Sequence, residues 1–203
     1  MPTILLIRHA ETEFVRQGRL AGRLPGVHLN DRGVKQAEAL GGRLAGTGLR
    51  AIYSSPLERA AETAGAIARQ ADQGVVVRPA LTEVDFGGWE GRTLKQLRRR
   101  KLWKSVEHRP SMARFPGGES FAEAQIRIVD ELLTLSEMHG PKDLLAAVSH
   151  GDIIKLAAAY VLGMPLDQFQ RLLVFPASIT TLQIGGHGAR LVNLNLTDWD
   201  EVH

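Results

Sequence analysis

The sequence predicts an α/β protein, a three-layer α/β/α sandwich with helices on both faces of a mainly parallel central sheet. Three observations carry this. Short apolar runs alternate with amphipathic helical patterns along the chain. Residues 144–148 (Leu-Leu-Ala-Ala-Val) are apolar throughout, as a strand buried on both faces requires. No repeat, low-complexity tract or Ser/Gly/Pro-rich linker interrupts the 203 residues, so a single domain spanning 1-203 is the simplest organisation.

Each element has its own signal. Residues 3–7 read as a first buried strand, and residues 30–44 as a helix capped by Asn30 or Asp31 and ended by Gly46 and Gly48. Residues 51–54 form a second strand. Ser55-Pro56-Leu57-Glu58 then predicts a capping box, with serine as cap, proline at the first helical position and glutamate at the third. Residues 75–77 give a third strand. Glu119 or Ser120 opens a long helix whose apolar face is Phe121, Ala124, Ile128, Leu132 and Leu135, closed by Gly140-Pro141. After the strand 144–148, residues 152–162 form a helix stopped by Gly163. Residues 179–184 and 191–196 pair as a hairpin through Gly185-Gly186-His187-Gly188.

Composition excludes several classes. Hydrophobic residues make up 44% and charged residues 23%, ordinary for a globular protein. The net charge of +3 and pI near 9.5 favour anionic ligands only weakly. The one short basic cluster, Arg98-Arg99-Arg100-Lys101, reads as a solvated helix end and gives no case for nucleic acid. With no cysteine there is no disulfide, thiolate metal site or cysteine nucleophile. No apolar stretch spans a bilayer, and the N-terminal run stops at Arg8, so a cytoplasmic location without membrane association is the default expectation. His28, His108, His139, His187 and His203 lack metal-ligand spacing, and Trp89 and Trp103 read as packing residues. No metal and no cofactor are expected. Strand pairing between chains at the edge near the C-terminal hairpin leaves a homodimer open.

Ligands of open parallel sheets sit at the carboxyl ends of the strands. The first strand delivers Arg8-His9 there, and the strand at 144–148 delivers Ser149-His150-Gly151. Arg59 lies just inside the helix after the second strand, and Leu81-Thr82-Glu83 follows the third. Two histidines, two arginines and a carboxylate therefore converge on one crevice. Guanidinium forks suit phosphoryl oxygens, a neutral imidazole is a nucleophile near neutral pH, and a carboxylic acid can protonate the leaving oxygen. Glu83 is favoured as that acid over the nearby Asp85 and Glu90. His150 is expected to bind a phosphate oxygen as imidazolium.

Leu6-Ile7-Arg8-His9-Ala10-Glu11-Thr12 resembles the signature of the histidine phosphatase superfamily, the group that includes cofactor-dependent phosphoglycerate mutases. Four more segments agree in order: Ser54 to Ala60 with Thr63-Ala64; Leu81-Thr82-Glu83 with Gly88-Trp89-Glu90-Gly91; Phe115-Pro116-Gly117-Gly118-Glu119-Ser120; and Val148-Ser149-His150-Gly151. The stretches 20–29, 151–155 and 163–178 are similar to a bacterial phosphomutase/phosphatase subgroup. The resemblance implies that His9 is the phosphorylated histidine, that Arg8, Arg59 and His150 form the phosphate pocket, and that Glu83 is the proton donor. It also places Thr12 and Gly22 among the substrate-binding residues, and lets Glu119-Ser120 orient the substrate and one arginine of 98–100 reach an anionic part of it. Ala10 stands where the family carries glycine. Val15 stands where many members carry a phosphate-binding asparagine, and Arg16 or Gln17 is the expected replacement. The expected activity is hydrolysis of a small phosphomonoester through phospho-His9. The segment 91–117 is short, where mutases carry a longer insertion that encloses substrate. A phosphomutase is the alternative, and a non-catalytic phospholigand-binding module a third reading.

Overall fold

A computed structural model describes residues 1–197; His203 lies outside them. Six strands form one sheet: β1 (Thr3–Arg8), β2 (Leu49–Ser54), β3 (Val75–Val77), β4 (Leu144–Ser149), β5 (Ile179–Gly185) and β6 (Gly188–Leu196), in the order β3-β2-β4-β1-β5-β6. β3, β2, β4 and β1 run parallel, and β5 and β6 add antiparallel at one side. The expected mainly parallel sheet is present, with β5 alone running opposite to the other strands, and the tight Gly186-His187 turn returns β6 antiparallel to it.

The helices are α1 (Glu13–Arg16), α2 (Asp31–Leu44), α3 (Glu58–Ala71), α4 (Leu94–Leu97), α5 (Lys101–His108), α6 (Phe121–Met138) and α7 (Gly151–Val161). The period-2 alternation of β1 divides the core in two. Leu5 and Ile7 pack with Leu40 and Leu44 of α2 and with Ala60, Ala64 and Ile67 of α3. Ile4 and Leu6 pack on the other face with Phe121, Ile128 and Leu132 of α6 and Ile153 and Leu156 of α7. This is the three-layer sandwich. All five residues expected on the apolar face of α6 are buried, and Ser120 caps it in a capping box with Glu123.

Two expectations change. The helix after β2 starts at Glu58, and Leu57 is its cap without a side-chain bond, so no box forms at Ser55. The Ser55 hydroxyl is committed to His150 Nε2 at 2.8 Å, and the Glu58 carboxylate accepts from the Gly26 N–H at 3.0 Å. Residues 95–116, unassigned from sequence, contain most of α4 and all of α5. These helices of four and eight residues are too short for a readable period. Arg98 to Lys101 spans the joint between them.

The register places the functional ends together. In β1 and β4, Arg8 pairs with Ser149, and the His9 N–H donates to the Ser149 carbonyl at 2.9 Å. The two strands therefore present Arg8-His9 and Ser149-His150 side by side.

Candidate active site

His9 is the first residue beyond β1 and is only 4% exposed. Its Nδ1 lies 2.7 Å from the Ala10 carbonyl, which can only accept, so Nδ1 carries the proton and Nε2 the lone pair. Burial, then the charges of Arg59 and Arg8, hold its pKa well below the ordinary histidine range. His9 is thus a neutral imidazole with one free nitrogen aimed toward Arg59.

Arg59 is fully buried. Its Nε donates to His9 Nε2 at 3.2 Å, its Nη2 donates to the Gly22 carbonyl at 2.7 Å, and Nη2 also meets His150 Nδ1 at 3.2 Å. His150 Nδ1 is then an acceptor and its Nε2–H donates to Ser55. Ser55, His150, Arg59 and His9 form one buried chain. Burial, then Arg59 and His9, push the pKa of His150 well below the ordinary range too. The protein alone therefore holds it neutral, against the imidazolium expected from sequence, which needs the charge of a bound dianion.

Arg8 donates from Nη1 to the Val174 carbonyl at 2.7 Å. Among the described residues, two buried side-chain N–H groups lack a protein partner, Arg8 Nε and Arg59 Nη1. An unmet buried donor costs about 1–3 kcal/mol, so a pair on two cations beside a nucleophile calls for an anion with several acceptor oxygens.

Glu83 follows the short helical turn after β3. Burial, then the charge of Asp152, raises its carboxyl to about 7 against the opposing pull of Arg59 and Arg8. It is half protonated near neutral pH, as a group that gives and later takes a proton should be. Its neighbours Asp85 and Glu90 do not line the cavity that Glu83 reaches. Asp85 accepts from the Gly87 N–H, and Glu90 accepts from the Arg23 N–H at 2.8 Å.

A cavity of about 650 Å³ is lined by Arg8, His9, Thr12, Gly22, Arg59 and Glu83. Its lining also includes Leu94, Arg98, Trp103, Leu172, Leu173 and Phe175, the last two exposed to solvent. His150 stands behind Arg59 and does not reach this wall. Thr12 does reach it, with its hydroxyl accepting from the Val15 N–H at 3.2 Å. Val15 also lines the cavity, whereas the exposed Arg16 and Gln17 side chains both bond Glu13, so neither replaces an asparagine there. Arg98 reaches the cavity over the Trp103 ring, 6.0 Å from its centroid, while no other arginine of its cluster does. Sequence reasoning missed Asp152 and Lys155, which pair at 2.6 Å on the cavity wall. Their i,i+3 spacing on α7 was the available signal. Among the described residues, no group of three His, Asp or Glu side chains is placed to hold a metal, and no helix is long and apolar enough to cross a membrane.

A buried neutral histidine between two guanidinium groups, facing an acid that titrates near 7 at the strand ends of an α/β/α sandwich, defines a phosphoryl-transfer protein. The chain belongs to the histidine phosphatase superfamily, branch 1, whose model matches residues 4–197. It is similar to phosphoserine phosphatase 1 of Hydrogenobacter thermophilus, with 30% identity over 202 residues covering 97% of this chain and 93% of that protein. A probable phosphoglycerate mutase of Proteus mirabilis shares 32% identity over 185 residues, covering 89% and 84%. Among solved structures, phosphoserine phosphatase from Entamoeba histolytica in complex with 3-phosphoglyceric acid superposes with a TM-score of 0.88 at 30% identity, covering 98% of each chain.

Proposed function

We propose that this protein, acting as one domain over residues 1-203, hydrolyses a small phosphomonoester through a phosphohistidine at His9. The carrying observation is the pair of unmet N–H groups, Arg8 Nε and Arg59 Nη1, beside the unprotonated His9 Nε2. The phosphoryl oxygens bind there, with Thr12 and the Gly22 segment beside them. Nε2 attacks phosphorus as the ester P–O bond breaks, and Glu83 gives its proton to the leaving oxygen. Glu83, now ionised, takes a proton from water as that water attacks phosphorus. The P–N bond breaks, phosphate leaves, and both groups return to their starting states. His150 supports Arg59 from behind, and a bound dianion favours its protonation. The solvent-exposed mouth at Leu173 and Phe175 gives water the access that hydrolysis needs and that a mutase must limit.

The test compares wild type and His9→Ala on a panel of phosphomonoesters, with and without EDTA, reading released phosphate and any isomerised ester. Phosphate release that survives EDTA and vanishes in His9→Ala is expected. Isomer formation faster than release would replace the phosphatase by a mutase, and full activity in His9→Ala would sink both.

A further inference from the structure

Glu119 immediately precedes Ser120, the cap of α6, and its carboxylate is held by partners from three segments. Oε2 accepts from the Asp85 N–H at 3.1 Å and from Arg127 Nη2 at 2.9 Å. Oε1 accepts from Arg127 Nε at 3.1 Å and pairs with Arg23 Nη2 at 2.9 Å. Both arginines continue to the backbone around Glu83. Arg127 Nη1 donates to the carbonyls of Ala80 at 2.6 Å and Thr82 at 2.8 Å, and Arg23 Nε donates to the Glu83 carbonyl at 2.9 Å. Ala80, Thr82, Glu83 and Asp85 are thus all held by contacts that trace back to one carboxylate.

The backbones of the two segments are also joined. The Glu119 N–H donates to the Asp85 carbonyl and the Gly88 N–H to the Pro116 carbonyl, each at 2.9 Å. A Cβ at Gly118 would lie 2.2 Å from the Asp85 carbonyl oxygen, and one at Gly87 equally close to that of Pro116, so the approach is possible only for glycine. Among the described residues, the Glu83 carboxyl accepts one hydrogen bond, from the Val84 N–H at 3.0 Å. Nothing else among these bonds fixes where its carboxyl stands.

We propose that Glu119 is a positioning residue for the acid of the reaction: through Arg127 and Arg23 it clamps residues 80–85 so that Glu83 faces the leaving oxygen. This rests on the phosphatase reading, and it differs from a role for Glu119 in orienting substrate, since its carboxylate is turned to the two arginines and is not among the residues lining the cavity. A misplaced acid harms only a reaction that needs leaving-group protonation.

The experiment measures kcat/KM of wild type, Glu119→Gln and Glu119→Ala on an alkyl phosphate, whose leaving oxygen needs a proton, and on p-nitrophenyl phosphate, whose leaving group does not. The expected result is a loss of about 10–100-fold on the alkyl ester in Glu119→Ala and less than about threefold on the aryl ester. Glu119→Gln should fall between the two, and the inhibition constant of inorganic phosphate should be nearly unchanged. Equal losses on both esters, or no loss on either, would overturn the clamp. If Glu119→Ala does not fold, the same comparison in Glu119→Gln and Arg127→Lys decides. A wild type inert on both esters would sink the phosphatase reading and the clamp with it.

Discussion

Raising the pH through neutrality should disable the first chemical step by taking the proton from Glu83. Burial, then Asp152, raises that carboxyl to about 7, and the form that can donate exists below this value. For an alkyl phosphate, kcat/KM should fall about tenfold per pH unit above about 7. His9 adds no limb there, because burial, Arg59 and Arg8 keep it neutral well below the ordinary histidine range. The second ionisation of the ester, near about 6, shapes only the acid side. Glu83→Gln cannot donate a proton and should lose about 10²–10⁴-fold at pH values below about 7, with no alkaline limb left. The assay is initial-rate phosphate release across roughly pH 5 to 9 for both enzymes. A wild-type profile level through pH 9, or an alkaline limb of the same position in Glu83→Gln, would refute the assignment.

The same carboxyl makes a prediction about stability. Its folded value of about 7 lies above the ordinary 4.5, so between these values the unfolded chain sheds a proton that the folded chain keeps, and stability falls as pH rises. At about 1.4 kcal/mol per pH unit the cost reaches about 3 kcal/mol above pH 7. Glu83→Gln should therefore raise Tm by roughly 6–12 °C at about pH 8 and hardly change it at about pH 4; equal Tm values at both pH values would contradict the burial argument. Gly22→Ala should destabilise by about 1–2 kcal/mol and raise KM, because φ is +54° there and the new Cβ would sit 2.2 Å from Glu90 Oε1, displacing the carbonyl that holds Arg59. Thermal melts and steady-state kinetics check both effects, and an unchanged KM would remove Gly22 from the account.

Arg8, His9 and His150 were legible because they stand at the ends of apolar runs, with Arg59 and Glu83 in the segments that follow two more strands, and strand ends of a parallel sheet share one side. Period-2 alternation in β1 and the 3.6-residue period of α6 fixed the layers. What the chain did not announce depends on distances across the fold. Ser55 looked like a helix cap, a local role, until a buried imidazole needed its hydroxyl. Glu119 looked like part of a helix start, because nothing nearby in sequence points to Arg23, nearly a hundred residues earlier. The neutrality of His150 follows from burial and the company of Arg59, neither of which is visible in the Ser-His-Gly triplet. Val15 was legible as a departure, but where Arg16 and Gln17 turn was not.

The strand order has a consequence for how the molecule comes into being. His9, Glu83, Arg8 and Arg59 are all translated within the first 83 residues, yet β4 lies between β1 and β2 and pairs with each. Until residues 144–149 emerge, the two halves of the site have no common support, and the Ser149 carbonyl that fixes His9 does not exist. A growing chain therefore carries all the reactive side chains without a working centre. Activity should arrive abruptly, late in synthesis, with the insertion of one strand whose partners in β1 and β2 lie far back in the sequence, so that long loops must close before it pairs.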